Sequence, residues 1–225
     1  MLEYLPSQIR EIYINKELHK NKNDRIFKLA EANRIRIKTI GKAELDKITG
    51  KSNHQGLAAD INDFQYEEFG KLLKESHGFY LILDHIEDPH NLGAIIRTAN
   101  FFGVSGIIIP KDRAVGITPT VIKTSSGAAM TVPISRVSNI GNAINDLKKN
   151  NVWIVGADIG AEKEVSDIDT DGLDIGLVIG SEGKGLSKSI RSKCDFLVSI
   201  TKSGKVESLN ASVAAGILMY KLNKK

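Results

Sequence analysis

The chain is predicted to be α/β: a small mixed unit, then a larger one built on a parallel sheet. Three observations lead there. Apolar, β-rich runs at Phe79 to Leu83, Gly106 to Ile109, Val152 to Val155, Ile175 to Ile179 and Phe196 to Ile200 alternate with helically spaced stretches, the pattern of strands covered on both faces. Residues 1–62 carry their own shorter series of strand and helix signals. Between them, the stretch from Asp63 through Phe69-Gly70 to His77-Gly78 has no sustained period. Residues 63–78 are therefore expected to form a linker with one helical turn, and 79–225 the second domain.

In the first unit the pattern predicts a strand from Glu11 to Ile14, a polar helix from Lys22 to Asn33, and a strand from Ile35 to Ile40. A helix near Ala43 to Thr49 and a strand from Gly56 to Ile61 follow. Residues 16–51 hold eleven Lys or Arg against five Asp or Glu, although the whole chain carries only +4. Clustered cations release counterions from a phosphate backbone, so this segment points to nucleic acid; a solvated lysine-rich face is the plain alternative. The composition, 41% hydrophobic and 26% charged, is that of a globular protein, and no apolar run approaches the ~20 residues of a membrane span. Met1 to Pro6 lacks the pattern of a secretory signal, and Cys194, the only cysteine, has no intrachain partner. A cytoplasmic protein with no membrane contact is expected.

Three segments of the second domain begin where apolar runs stop, the places where α/β proteins put their ligand sites. In the first, Asp88-Pro89-His90-Asn91 opens a helix with Leu92, Ile95, Ile96 and Ala99 at helical spacing, and Arg97 lies off that stripe. An arginine there can present its fork to a phosphate, and an asparagine amide can orient a hydroxyl; equally, they are a cap and a surface charge. In the second, Gly180-Ser181-Glu182-Gly183-Lys184-Gly185 follows an apolar strand. Its glycines permit close approach of backbone to a ligand, or simply a tight turn, and it lacks the Walker ending and the Rossmann spacing. In the third, Ser208-Leu209-Asn210-Ala211-Ser212 opens a last helix near Ser208. Ala211, Ser212, Ala214, Ala215 and Gly216 allow another backbone to pack very close, and Ser208 and Asn210 are of the types that cap helices.

In order and spacing these segments resemble the SpoU/TrmH class of SPOUT methyltransferases, together with Leu81-Ile82-Leu83-Asp84, Ile109-Pro110-Lys111-Asp112-Arg113, Ser126-Gly127-Ala128-Ala129 and Val132-Pro133. The resemblance covers nearly the whole chain. It implies an RNA ribose 2′-O-methyltransferase whose C-terminal parallel-sheet domain is tied in a deep trefoil knot, although knots are otherwise rare. S-adenosylmethionine would lie in the knot against Gly180, Ser181, Gly183, Ile200 and Leu209, and Asn91, Arg97, Glu182, Ser208 and Asn210 would form the catalytic pocket. No metal is implied.

Within the class, His54-Gln55-Gly56 and its surroundings look most like the enzymes that methylate a guanosine of 23S ribosomal RNA. A transfer-RNA ribose methyltransferase and a catalytically idle RNA-binding protein are the alternatives. The resemblance further implies a homodimer packed through the knotted region. It also makes the first unit a small RNA-recognition domain akin to ribosomal and kink-turn-binding proteins. Relatives usually carry a Gly-rich turn and an extra helix ahead of such a first strand, where this sequence has Met1.

Overall fold

The computed structural model describes residues 2–3, 5–19, 24–51, 53–75, 78–181, 183 and 185–223, and divides after Phe64 into two compact units. The first contains β1 (Ile9–Asn15), α1 (Lys16–His19), α2 (Asp24–Ala32), β2 (Arg36–Ile40), α3 (Lys42–Ile48) and β3 (Leu57–Ile61). β1 is the central strand, parallel to β2 and antiparallel to β3. Ile12 and Ile14 alternate onto its buried face and meet Ala30 of α2, the period-2 pattern that fixes register. The strand starts two residues earlier than expected because Ile9 pairs with Ile61 across a bulge. Of the expected helix from Lys22, the part before Asp24 lies outside the described residues.

The second unit opens with α4 (Phe69–Glu75), inside the stretch expected to be a linker. Leu72 is 2% exposed and packs with Tyr80 and Ile108, while Phe69 and Leu73 lie against the same cluster. Glu67 donates its N–H to the Ile134 carbonyl at 2.8 Å, and the Tyr66 hydroxyl accepts from the Ile117 N–H at 2.9 Å. Residues 65–75 thus belong to the second unit. An apolar triplet at i, i+3 and i+4 buries one stripe of a two-turn helix, a signal too short to stand out in the sequence.

There follow β4 (Phe79–Leu83), α5 (Pro89–Phe101), β5 (Gly106–Pro110), α6 (Pro119–Thr124), β6 (Ile134–Val137), α7 (Ile140–Lys149), β7 (Trp153–Ala157) and β8 (Lys163–Glu164). The unit ends with β9 (Ile175–Ile179), α8 (Lys188–Arg191), β10 (Phe196–Ser199) and α9 (Ala211–Leu222). All described pairings are parallel, in the order β6-β5-β4-β9-β7-β10-β8. Every residue of β4, β5 and β9 is buried, as a sheet with helices on both faces requires. β6, absent from the predicted strands, is hidden in the sequence by Pro133, Ser135 and Arg136; the Ser135 hydroxyl is nevertheless buried, donating to the Glu67 carbonyl at 2.6 Å.

Two late insertions shape this sheet. β9 enters between β4 and β7, and β10 between β7 and β8, all laid down before them. α9 then packs on α5 and β9. Its C-terminal end is fixed by Thr170, whose hydroxyl donates to the Leu222 carbonyl at 2.8 Å, and by the Asn223 amide, which donates to the Phe102 carbonyl at 2.7 Å. No helix among the described residues is long and apolar enough to cross a membrane.

Candidate functional site

The C-terminal ends of β4 and β9 lie side by side, with chain leaving them in opposite directions across the sheet. Such a switch point opens a crevice in parallel sheets. Here it is a cavity of about 740 Å³ whose lining includes Asp84, His85, Asn91, Arg113, Ser181 and Gly185.

The first segment is anchored as expected. Asp88 caps α5, its side chain accepting from the His90 N–H at 3.0 Å, with Pro89 in the first turn, a proline position that sacrifices no helical hydrogen bond. That start sets Asn91 at the cavity with 8% exposure. Arg97, nearly two turns on, is exposed, makes no hydrogen bond or ion pair among the described residues, and is not part of the cavity lining.

The second segment turns back sharply on itself. Ser181 and Gly185 form an antiparallel bridge, with the Gly185 N–H donating to the Ser181 carbonyl at 2.9 Å. Gly180 has no room for a side chain: a Cβ there would stand 2.2 Å from the Gly185 carbonyl carbon. Gly183 and Gly185 take φ of +80° and +61°. Glu182 and Lys184 lie outside the described residues.

The third segment caps α9 through Asn210 rather than Ser208. The helix begins at Ala211, and the Asn210 side-chain oxygen accepts from the Ser212 N–H at 2.9 Å and from the Ser212 hydroxyl at 2.6 Å. Its amide nitrogen donates to Asn91 Oδ1 at 2.9 Å, across 119 positions of sequence. One side chain thus uses both ends, fixing a helix start with its oxygen and the first segment with its nitrogen. Ile200 is half-buried, whereas Ser208 and Leu209 are exposed, as is the whole of 201–210; the side chains of Val206 and Leu209 are 76% and 48% exposed.

The structure therefore brings Asn91, Asn210, Gly180 and Ser181 to neighbouring strand and helix ends, and leaves Arg97 and Ser208 at the surface. It also adds a pair that sequence reasoning passed over. Asp84, 2% exposed, accepts a hydrogen bond from His85 Nδ1 at 2.6 Å, and His85 holds φ of +64° at the cavity. A buried carboxylate on one ring nitrogen fixes the tautomer and leaves Nε2 as the ring's acceptor. The only signal was an Asp-His pair closing an apolar strand.

The sequence profile of the SpoU rRNA Methylase family matches residues 78–220. A second profile, for RNA 2′-O ribose methyltransferase substrate binding, matches residues 2–67. A relative from Bacillus subtilis (strain 168), YacO, classed by name with the TrmH family tRNA/rRNA methyltransferases, is 41% identical over 224 residues. The match covers 97% of this chain and 89% of that one. Among solved structures, the AdoMet-bound rRNA methyltransferase of Sinorhizobium meliloti superposes with a TM-score of 0.77 at 24% identity, covering 96% of this chain and 79% of that one. The SpoU methyltransferase AviRb of Streptomyces viridochromogenes, solved with AdoMet, gives 0.77 at 23% identity, covering 95% and 81%. These two likenesses concern the fold, in both units.

Proposed function

Because this chain belongs to the SpoU rRNA methylase family, we propose that it is an S-adenosylmethionine-dependent RNA ribose 2′-O-methyltransferase acting on a guanosine of 23S ribosomal RNA. The observation that carries this reading is the hydrogen bond from Asn210 to Asn91, which joins the first and third segments beside the loop of the second. Capturing one ribose hydroxyl in line with a methyl donor is above all a positioning task, and it needs polar groups from separate segments fixed around one point.

S-adenosylmethionine supplies, when bound, an electrophilic methyl group on a sulfonium sulfur. The residues present fit it. Gly180 admits only a hydrogen at its α-carbon, which lets the loop backbone at Gly185 fold tightly against it at the cavity edge, and Leu209 and Val206 offer exposed apolar surface. Gly180, Ser181, Gly183, Ile200 and Leu209 would hold it. Asn210, steadied by Asn91, and Ser208 position the acceptor ribose. Arg97 binds the phosphate beside that ribose with its planar fork. A guanidinium has only donors and no acceptor, so Arg97 serves the proton transfer by orienting a water that takes the hydroxyl proton. Glu182 orients the loop.

Two features of the fold fit the family's assembly. α9 is apolar nearly all round, yet Val213 and Tyr220 are 48% and 68% exposed, and Phe101 of α5 beside it is 81% exposed. A helix of that kind belongs in an interior, and a second copy of this chain supplies the cover. Arg97 shares the exposed side of α5 with Phe101, one turn away, so it would act toward the partner's cofactor. The late entry of β9 and β10 into the sheet supports the trefoil threading. An RNA substrate accords with a cytoplasmic location.

The deciding experiment offers tritiated S-adenosylmethionine with unmodified 23S rRNA and unmodified tRNA, purified separately. Label on 23S rRNA alone is expected. Label on tRNA alone would move the assignment to the other substrate, and none on either would favour an idle RNA-binding protein.

A further inference from the structure

The first unit holds a cavity of its own, about 530 Å³, where the end of β1 and the start of α1 meet the loop between α3 and β3. Its floor is fixed internally. His54, its side chain 10% exposed, donates from Nε2 to Asp46 Oδ1 at 2.8 Å and accepts from the Gly56 N–H at Nδ1 at 2.9 Å. Gly56 has φ of +83° and packs against Leu18, whose Cδ1 would lie 3.1 Å from a Cβ. The Asn15 N–H donates to the Gly56 carbonyl at 2.9 Å. Lys51 and Gln55 are both held in the left-handed region, at φ of +60° and +50°, a cost that packed surroundings must sustain.

The rim is the opposite. Glu17, Lys42, Lys51 and Gln55 line the cavity, and among the described residues none of their side chains has a hydrogen-bond or ion-pair partner. A hydrogen-bonded floor beneath two lysines, one glutamate and one amide whose side chains have no partner among the described residues suits a ligand with an anionic group and a donor-rich polar edge. A pocket of this volume holds a small ligand. We propose that this cavity clasps one unstacked nucleotide of the RNA substrate: Lys42 and Lys51 take its phosphates, and Glu17 and Gln55 read its base. Guanine fits best, because its N1–H and N2–H₂ present two parallel donors to a carboxylate. This rests on RNA being the substrate and deepens that reading.

The test uses the full chain and fluorescein-labelled RNA hairpins with unpaired guanosines or unpaired uridines in the loop, measured by fluorescence anisotropy over a salt series. S-adenosylmethionine binding serves as the control for folding. The wild type is expected to prefer the guanosine loop by about tenfold, and Glu17→Gln to abolish that preference while keeping the uridine affinity. Lys42→Gln with Lys51→Gln should weaken both hairpins about tenfold and flatten the salt slope by about 1.4, with S-adenosylmethionine affinity unchanged. Wild-type hairpin binding in all these variants would overturn the pocket while leaving the RNA reading intact. A wild type that binds neither hairpin would overturn both, and free guanosine monophosphate competing as strongly as the hairpin would overturn the assignment to RNA.

Discussion

Asn210 ties together two helix starts that the sequence places 119 residues apart. Replacing it with Ala removes a cap, worth about 1 kcal/mol, and the hydrogen bond to the nearly buried Asn91, worth about 0.5–1.5 kcal/mol. Asn210→Ala is therefore expected to lower urea-unfolding stability by about 1.5–2.5 kcal/mol in all and to depress methyl transfer. The double variant with Asn91→Ala should lose less than the sum of the singles; strict additivity would mean the hydrogen bond carries nothing. Gly180→Ala should weaken S-adenosylmethionine binding by about tenfold or more, equal to 1.4 kcal/mol, since its methyl would collide with Gly185. Arg97→Lys keeps the cation and loses the fork; a steep fall in methylation with cofactor affinity intact is expected, and full methylation would exclude the bidentate role.

Cys194 carries the pH prediction. Burial, with Asp195 adding to it, pushes the thiol up to about 12 from 9.0. The folded state therefore favours the neutral thiol. Its contribution is fully present below 9.0 and is lost as pH rises toward 12. Chemical denaturation across that window should show stability falling, more steeply than in a Cys194→Ala variant, and the native thiol should resist alkylation near neutral pH.

Residue types were readable where chemistry restricts them: Asp88 before a proline, Asn91 in the first turn, glycines after a buried strand. Partnerships were not. Nothing local to Asn210 announces Asn91, and the left-handed backbone of His85, uncommon outside glycine, is set by the turn.

At the scale of elements, the long apolar runs declared their strands, and the failures share one cause. β6 and α4 are short, and each has only a few apolar positions, so their burial is decided by neighbours far along the chain. α9 shows the converse. Its composition marked it as a helix, but a helix apolar on every side does not say which side meets its own sheet and which a partner. The structure assigns Ala211, Ala215, Leu218, Met219 and Leu222 to the interior and exposes Val213 and Tyr220. Val213→Glu combined with Tyr220→Glu is thus expected to convert a dimer into a monomer of 24.6 kDa in light scattering while preserving helical circular dichroism. A wild type that is already monomeric and fully active would reject the dimer.

For the whole molecule, the order in which strands enter the sheet matters more than their number. β9 and β10 each insert between strands made earlier, which gathers the three polar segments at one edge although they span residues 88–212. Alternating strands and helices predicted a parallel sheet but not this order, because periodicity is silent about which strand lies beside which. The small N-terminal unit is a compact body of its own with its own cavity; on the readings proposed above, recognition would fall to it and chemistry to the second unit.

The most direct measurement is where the methyl group comes to rest on the RNA. Nucleoside mass spectrometry of 23S rRNA treated with enzyme and labelled S-adenosylmethionine should place the label on the ribose 2′-oxygen of a single guanosine, and Asn210→Ala should remove most of it. Label on a base, or equal labelling by that variant, would contradict the site described.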